Sequence, residues 1–180
     1  MNYLVMNLND MAKLDQLKID QTFVFATPIG KNGNPFSVGD VVGVKEPYKK
    51  LLDDENNLVG VRYRSDNSFV RFFEYHDKDA VEVGQWSAAR TMPECAIRYR
   101  LKVKAVKETS LQSFSDEEYA TMGLDYASQG NPQLILNEYI PYKNFELLKA
   151  WWKAHYKSTL KKADDPKVVL LTLTLYEDPY

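Results

Sequence analysis

Ala96-Ile97-Arg98-Tyr99-Arg100-Leu101-Lys102-Val103-Lys104-Ala105-Val106 places an apolar or aromatic residue at every second position, with cations between them. Successive side chains of a β-strand point to opposite faces, so this alternation predicts a strand with one buried side. Ile97, Tyr99, Leu101, Val103 and Ala105 share that side, and Arg98, Arg100, Lys102 and Lys104 share the other. Outward from this stretch, Lys167 to Tyr176 (KVVLLTLTLY) predicts a closing strand and Gln21 to Ile29 (QTFVFATPI) an early one, both rich in β-branched or aromatic residues. Val41 to Val44 adds a strand. Leu58 to Arg64 and Phe69 to Tyr75, separated by Ser65, Asp66, Asn67 and Ser68, read as a hairpin. Tyr3 to Met6 is a short first strand, Gly30 to Pro35 a turn, and residues 77 to 95 a loop.

Three helices complete the pattern. Leu8, Met11, Leu14 and Leu17 fall on one helical face, with Asn9 or Asp10 as the expected cap. Ser115-Asp116-Glu117-Glu118 is a capping box that opens a short helix ending at Gly123. Asn144 is placed to cap a helix from about Phe145 to Lys157, whose stripe is Phe145, Leu148, Trp152 and Tyr156, widened by Trp151. Residues 125 to 143, which contain Pro132 and Pro141, read as an irregular excursion. The expectation is an α+β chain, mostly strands with three helices, in a single domain over residues 1–180.

The bulk numbers narrow the function classes. Hydrophobic residues make up 44% and charged residues 27% of the 180, enough to bury a core. Lys plus Arg total 23 against 25 for Asp plus Glu, a net charge of −2, which excludes coating of nucleic acid by bulk charge but not a local basic patch. The one cysteine, Cys95, allows no internal disulfide and points to a reducing cytoplasm. No basic-then-apolar leader is read at MNYLVMNLND, and no run reaches the ~20 apolar residues of a membrane span. His76 and His155 have no partner at ligand spacing, so no metal or cofactor is expected, and the eight glycines form no phosphate-cradling loop.

Four segments in order resemble the ASCH family of the PUA-like superfamily, in the forms found in phages and prophages. They are Gly39-Asp40-Val41-Val42-Gly43-Val44-Lys45-Glu46-Pro47-Tyr48; Trp86 with Met92-Pro93 and Ala96-Ile97-Arg98; Leu101 to Leu111 with Ser115 to Leu124; and Trp152 with Tyr156, Asp165-Pro166 and the last strand. The resemblance covers roughly residues 39 to 176. It implies a small twisted β-barrel with about three flanking helices, and a role around RNA or modified nucleotides, a few members being small hydrolases. Hydrolase members pair a Lys-x-x-Thr with a Glu before a Gly-aliphatic pair. Here Thr22 matches, Lys18 stands at the wrong spacing, and Met122 replaces the Glu. A hydroxyl nucleophile needs a base to take its proton, so this departure points away from catalysis.

The leading expectation is therefore a non-catalytic module binding RNA or another nucleic acid, through Arg62, Arg64, Trp86, Arg90, Arg98, Arg100, Lys102 and Lys104. Alternating cations can follow a phosphate backbone, and Trp86 can stack on a base. The same cations also suit a plain solvated face. One alternative is a hydrolase of a modified nucleoside or RNA with Lys18, Thr22 and Glu46 as substitute catalytic groups. Another is a protein-interaction factor that targets a host protein. Trp151 and Trp152 read as core residues.

Overall fold

The computed structural model describes residues 2–72, 81–122, 141–156, 159, 161 and 164–177. It is α+β, mostly strands with few helices. Contacts group the chain into two compact units, one of residues 1–19, 41–101 and 175–180, the other of residues 20–40 and 102–174.

In the first unit, β1 (Asn2–Val5) runs parallel to β3 (Val41–Lys45) with Tyr3 opposite Gly43. Helix α1 (Leu8–Leu14) buries Met11 and Leu14. Its cap is Asn7 rather than the expected Asn9 or Asp10. The Asp10 amide donates to Asn7 Oδ1 at 3.1 Å and the Asn7 amide to Asp10 Oδ2 at 3.2 Å, a reciprocal capping box shifted toward the N-terminus.

The rest of this unit is an antiparallel sheet ordered β6-β5-β4-β7, from β4 (Tyr48–Leu52), β5 (Leu58–Tyr63), β6 (Phe69–Arg71) and β7 (Val81–Ser87). Two of these strands go beyond the sequence reading. β4 follows Pro47, in a stretch where no strand is expected from the sequence. Residues 77 to 95 were expected as a loop, and β7 lies within them. The β4–β5 turn closes on buried Asp53, whose Oδ1 accepts the amides of Glu55 at 3.0 Å and Asn57 at 2.7 Å. Asn56 takes a positive φ of 64° there, which asparagine tolerates. One face of the sheet packs Tyr48, Val61 and Tyr63 over Met92 and Ala96. The Tyr48 hydroxyl donates to the Thr91 carbonyl at 2.9 Å, and that of Tyr63 to the Ala96 carbonyl at 2.8 Å. Both phenols are thereby satisfied inside an apolar layer.

In the second unit the strand order is β8-β9-β2, from β2 (Phe23–Pro28), β8 (Arg100–Ser110, whose first two residues belong to the first unit) and β9 (Lys167–Leu175). β2 lies antiparallel to β9 with Phe25 opposite Leu171. β8 begins four residues later than the alternation suggested, because Glu94–Ala96 forms a 3₁₀ turn that holds Ala96 out of the ladder. Helix α2 (Asp116–Thr121) has the capping box read from sequence: the Ser115 amide donates to Glu118 Oε2 at 2.8 Å, and the Glu118 amide to Ser115 Oγ at 3.2 Å. Helix α3 (Pro141–Tyr156) starts before Asn144, at a proline whose missing N–H costs nothing in a first turn. Of the excursion expected over 125–143, residues 125–140 lie outside the described residues, as does Gly123; 141–143 are helical. Leu148 and Trp152 of α3 pack with Ala26, Leu111, Phe114, Tyr119, Met122, Val168 and Leu170. Met122 is thus a core side chain, with 3% of its surface exposed.

Among the described residues no helix is long and apolar enough to cross a membrane.

Gly60 of β5 sits where its neighbour comes closest. A Cβ there would stand 2.5 Å from the Val70 carbonyl oxygen and 3.2 Å from Leu51 Cδ1. Backbone cannot yield as a side-chain tip can, so Gly60→Ala is expected to push β6 from β5. The cost should be about 1–3 kcal/mol in a urea melt, the range of overpacked sites.

Candidate functional site

The outward face of the four-stranded sheet is built by its register. Lys49 of β4 stands opposite Arg62 of β5, and Arg62 opposite Phe69 of β6. Arg71 shares the face two residues along, opposite Gly60. On the other side Glu82 of β7 is opposite Leu51, and Trp86 comes over Lys49 after a register shift in β7. The result is two aromatic rings, each flanked by two cations. Lys49 Nζ lies 5.1 Å and the Arg64 guanidinium carbon 5.6 Å from the Trp86 ring centre. The guanidinium carbons of Arg62 and Arg71 lie 5.9 Å and 5.6 Å from the Phe69 ring. Phe69 is 55% exposed, an unusual position for a large apolar ring, and Trp86 is half-buried. Among the described residues one carboxylate joins the face. Glu82 pairs with Lys49 at 3.6 Å and with Arg62 Nε. Among the described residues four cations meet one acid on this face, on a chain whose net charge is −2.

Arg98 is placed differently from the other predicted cations. It precedes β8, and its guanidinium is consumed by the protein. Its Nε and one terminal nitrogen donate to Glu46 Oε1 and Oε2 at 2.8 and 3.1 Å, a bidentate pair. The other terminal nitrogen donates to Asp66 Oδ2 at 2.5 Å and Ser68 Oγ at 3.2 Å. Ser65 Oγ accepts from Arg98 at 2.6 Å and donates to Glu46 Oε2 at 2.7 Å. Tyr63 and Tyr99 flank the guanidinium at 4.2 and 4.9 Å. Burial works against the charge on Arg98, yet the hydrogen bonds to Glu46 and Asp66 outweigh it and hold the group above its usual range. Burial also pushes the phenol of Tyr63 up to about 12, and that of Tyr99 to about 12 with help from its hydrogen bond to Asp15. For Asp66, burial raises the pKa, but Arg98 and Ser68 bring it down to about 2. The partners at 65, 66 and 68 belong to the turn between β5 and β6, so Arg98 ties down the hairpin that carries Arg64 and Phe69.

The structure therefore brings together Arg62, Arg64 and Trp86 of the predicted set, with Arg71, and adds Lys49 and Phe69, which sequence reasoning missed. Arg90 is exposed in the 3₁₀ turn Ala89–Thr91, and Arg100 is half-buried at the start of β8. Lys102 and Lys104 are exposed on either side of buried Val103 of β8, which is not a strand of the four-stranded sheet.

Of the alternative catalytic set, Glu46 is committed to the ion network of the fold. Glu46 has 1% of its surface exposed and both oxygens held by Arg98 and Ser65. Lys18 is exposed in the first unit. Thr22 lines a cleft of about 330 Å³ in the second, beside Lys107 and Glu118, which pair with each other at 2.6 Å. His76 lies outside the described residues, and His155 Nδ1 is 2.8 Å from the Trp151 carbonyl oxygen. No group of side chains able to hold a metal occurs among the described residues. No protein family, curated protein or solved structure matches the chain.

Two outcomes follow from the ion network. Arg98→Met leaves Glu46 buried and charged, and should lower unfolding free energy by about 3–5 kcal/mol, while adding Glu46→Leu should restore most of it. The Asp66 carboxyl has a folded pKa near 2 against 3.8 in an ordinary setting. It stabilises the fold fully above the unfolded value, and loses that contribution as pH falls through the folded one. Thermal melts should thus show a drop between about pH 4 and about pH 2 that is smaller in Asp66→Asn.

Proposed function

We propose that this chain is a non-catalytic nucleic-acid-binding module, and that its contact surface is the outer face of the sheet β6-β5-β4-β7. The observation that carries the reading is the pairing of each outward ring, Phe69 and Trp86, with two cations. Rings give bases something to stack on, and arginine supports both stacking and phosphate contact. A solvated structural face has no need of a phenyl ring exposed over half its surface. RNA is the expected partner, and a phage or bacterial cytoplasm the expected setting. Both rest on the resemblance of residues 39 to 176 to the ASCH family. That resemblance carries with it the PUA-like barrel as the finer description of the fold, and the strand-rich architecture supports it. Under this reading Arg98 positions the hairpin instead of touching the ligand.

Titration of fluorescein-labelled oligouridine by anisotropy, between about 50 and about 200 mM salt, tests the proposal. Binding should weaken with salt. Arg64→Gln should flatten the slope of log affinity against log salt by about 0.7, one single-strand phosphate contact, while Lys102→Gln with Lys104→Gln should leave it unchanged. No binding of RNA or DNA, or binding indifferent to Arg64, overturns it.

A further inference from the structure

Phe69, Arg62 and Lys49 stand side by side on three neighbouring strands, and Trp86 on the fourth closes the row over Lys49. Adjacent strands lie about 4.8 Å apart, so the strands that carry the two rings are roughly 14 Å apart across the sheet, with two cations on the strands between them. We infer, resting on the reading just given, that the ligand is single-stranded, crosses the β-strands, stacks one base on each ring, and is read by its bases more than by its phosphates.

The geometry sets the footprint. A stacked strand rises 3.4 Å per nucleotide, so about 14 Å spans some four stacked steps and fewer once bases are splayed. Two bases three to five nucleotides apart, counted inclusively, therefore reach the two rings, within the roughly 4–16 nucleotides a comparable sheet-based platform covers. In a duplex both faces of each base are covered by its neighbours, and a ring lying on a sheet surface has no base face to meet. The rings select against it.

Glu82 decides the balance between base and phosphate. Its carboxylate contacts Lys49 Nζ at 3.6 Å and Arg62 Nε, the two cations in the middle of the row. A phosphate arriving there meets cations already neutralised and a like charge beside them. Binding to backbone alone is thereby weakened, and what remains depends on Phe69 and Trp86. A carboxylate in the centre of a basic face is a device for discrimination, because it penalises every polyanion that brings no exposed bases.

Anisotropy with the intact chain separates the cases. Oligouridine, the same strand with abasic sugars at alternate positions, and the corresponding RNA duplex serve as probes, with oligothymidine distinguishing DNA from RNA. The single strand should bind, and the abasic strand and duplex should bind at least tenfold more weakly. Phe69→Ala and Trp86→Ala should each cost about five- to 150-fold, the worth of one stacked base, with Trp86→Phe largely retaining affinity. Glu82→Gln should tighten binding of the abasic strand and duplex more than that of oligouridine, and steepen the salt slope by about 1.4 as two cations are released. Equal binding of duplex or abasic strand, or a Glu82→Gln variant with an unchanged slope, overturns this inference while leaving nucleic-acid binding in place. No binding of any probe overturns both.

Discussion

A carboxylate with 1% of its surface exposed has to be answered by a cation, and in this chain Arg98 answers Glu46. An unpaired buried charge costs several kcal/mol, so once Glu46 is inside, the position of Arg98 is set. The guanidinium then has donors left over, and they go to Ser65, Asp66 and Ser68. Those three residues form the turn from β5 to β6. The pair thus does more than neutralise itself: it determines where a hairpin ends and where the residues on either side of it, Arg64 and Phe69, are presented. The rings of Tyr63 and Tyr99 lie against the guanidinium, at 4.2 and 4.9 Å, and a less polar surrounding strengthens the pair.

The outer sheet face draws on the same economy of charge. Glu82 ties Lys49 and Arg62 to the surface, and the rings of Trp86 and Phe69 lie under cations that would otherwise be fully hydrated. Such an arrangement is stable without a ligand and still offers aromatic area and positive charge to one. In the second unit the polar groups are used otherwise: Lys107 is held by Glu118, which also closes the cap of α2.

Much of this was legible in the sequence where a segment is long and periodic. KVVLLTLTLY and QTFVFATPI contain strands, each with consecutive buried residues, and the Ser115–Glu118 box caps its helix as written. What escaped are β4 and β7. YKKLL of β4 has two adjacent lysines that break any two-residue period, and VEVGQWS of β7 is interrupted by Gly84 at a φ of 79°. Tertiary pairing, not local preference, makes them strands. Because they were unread, Lys49 had no visible neighbours. Arg98 shows the opposite limit: its place in an alternating pattern suggested an outward cation, but the pattern carries no trace of a carboxylate fifty-two residues earlier in the chain.

The proposed contact surface for nucleic acid is the outer face of one four-stranded sheet. Ultraviolet crosslinking of a 4-thiouridine-substituted single strand to the whole chain, followed by peptide mass spectrometry, reads that location without mutating anything. Crosslinks should concentrate at Phe69 and Trp86. Crosslinks confined to residues 102–107 or to the cleft around Thr22, with none on β6 or β7, would contradict it.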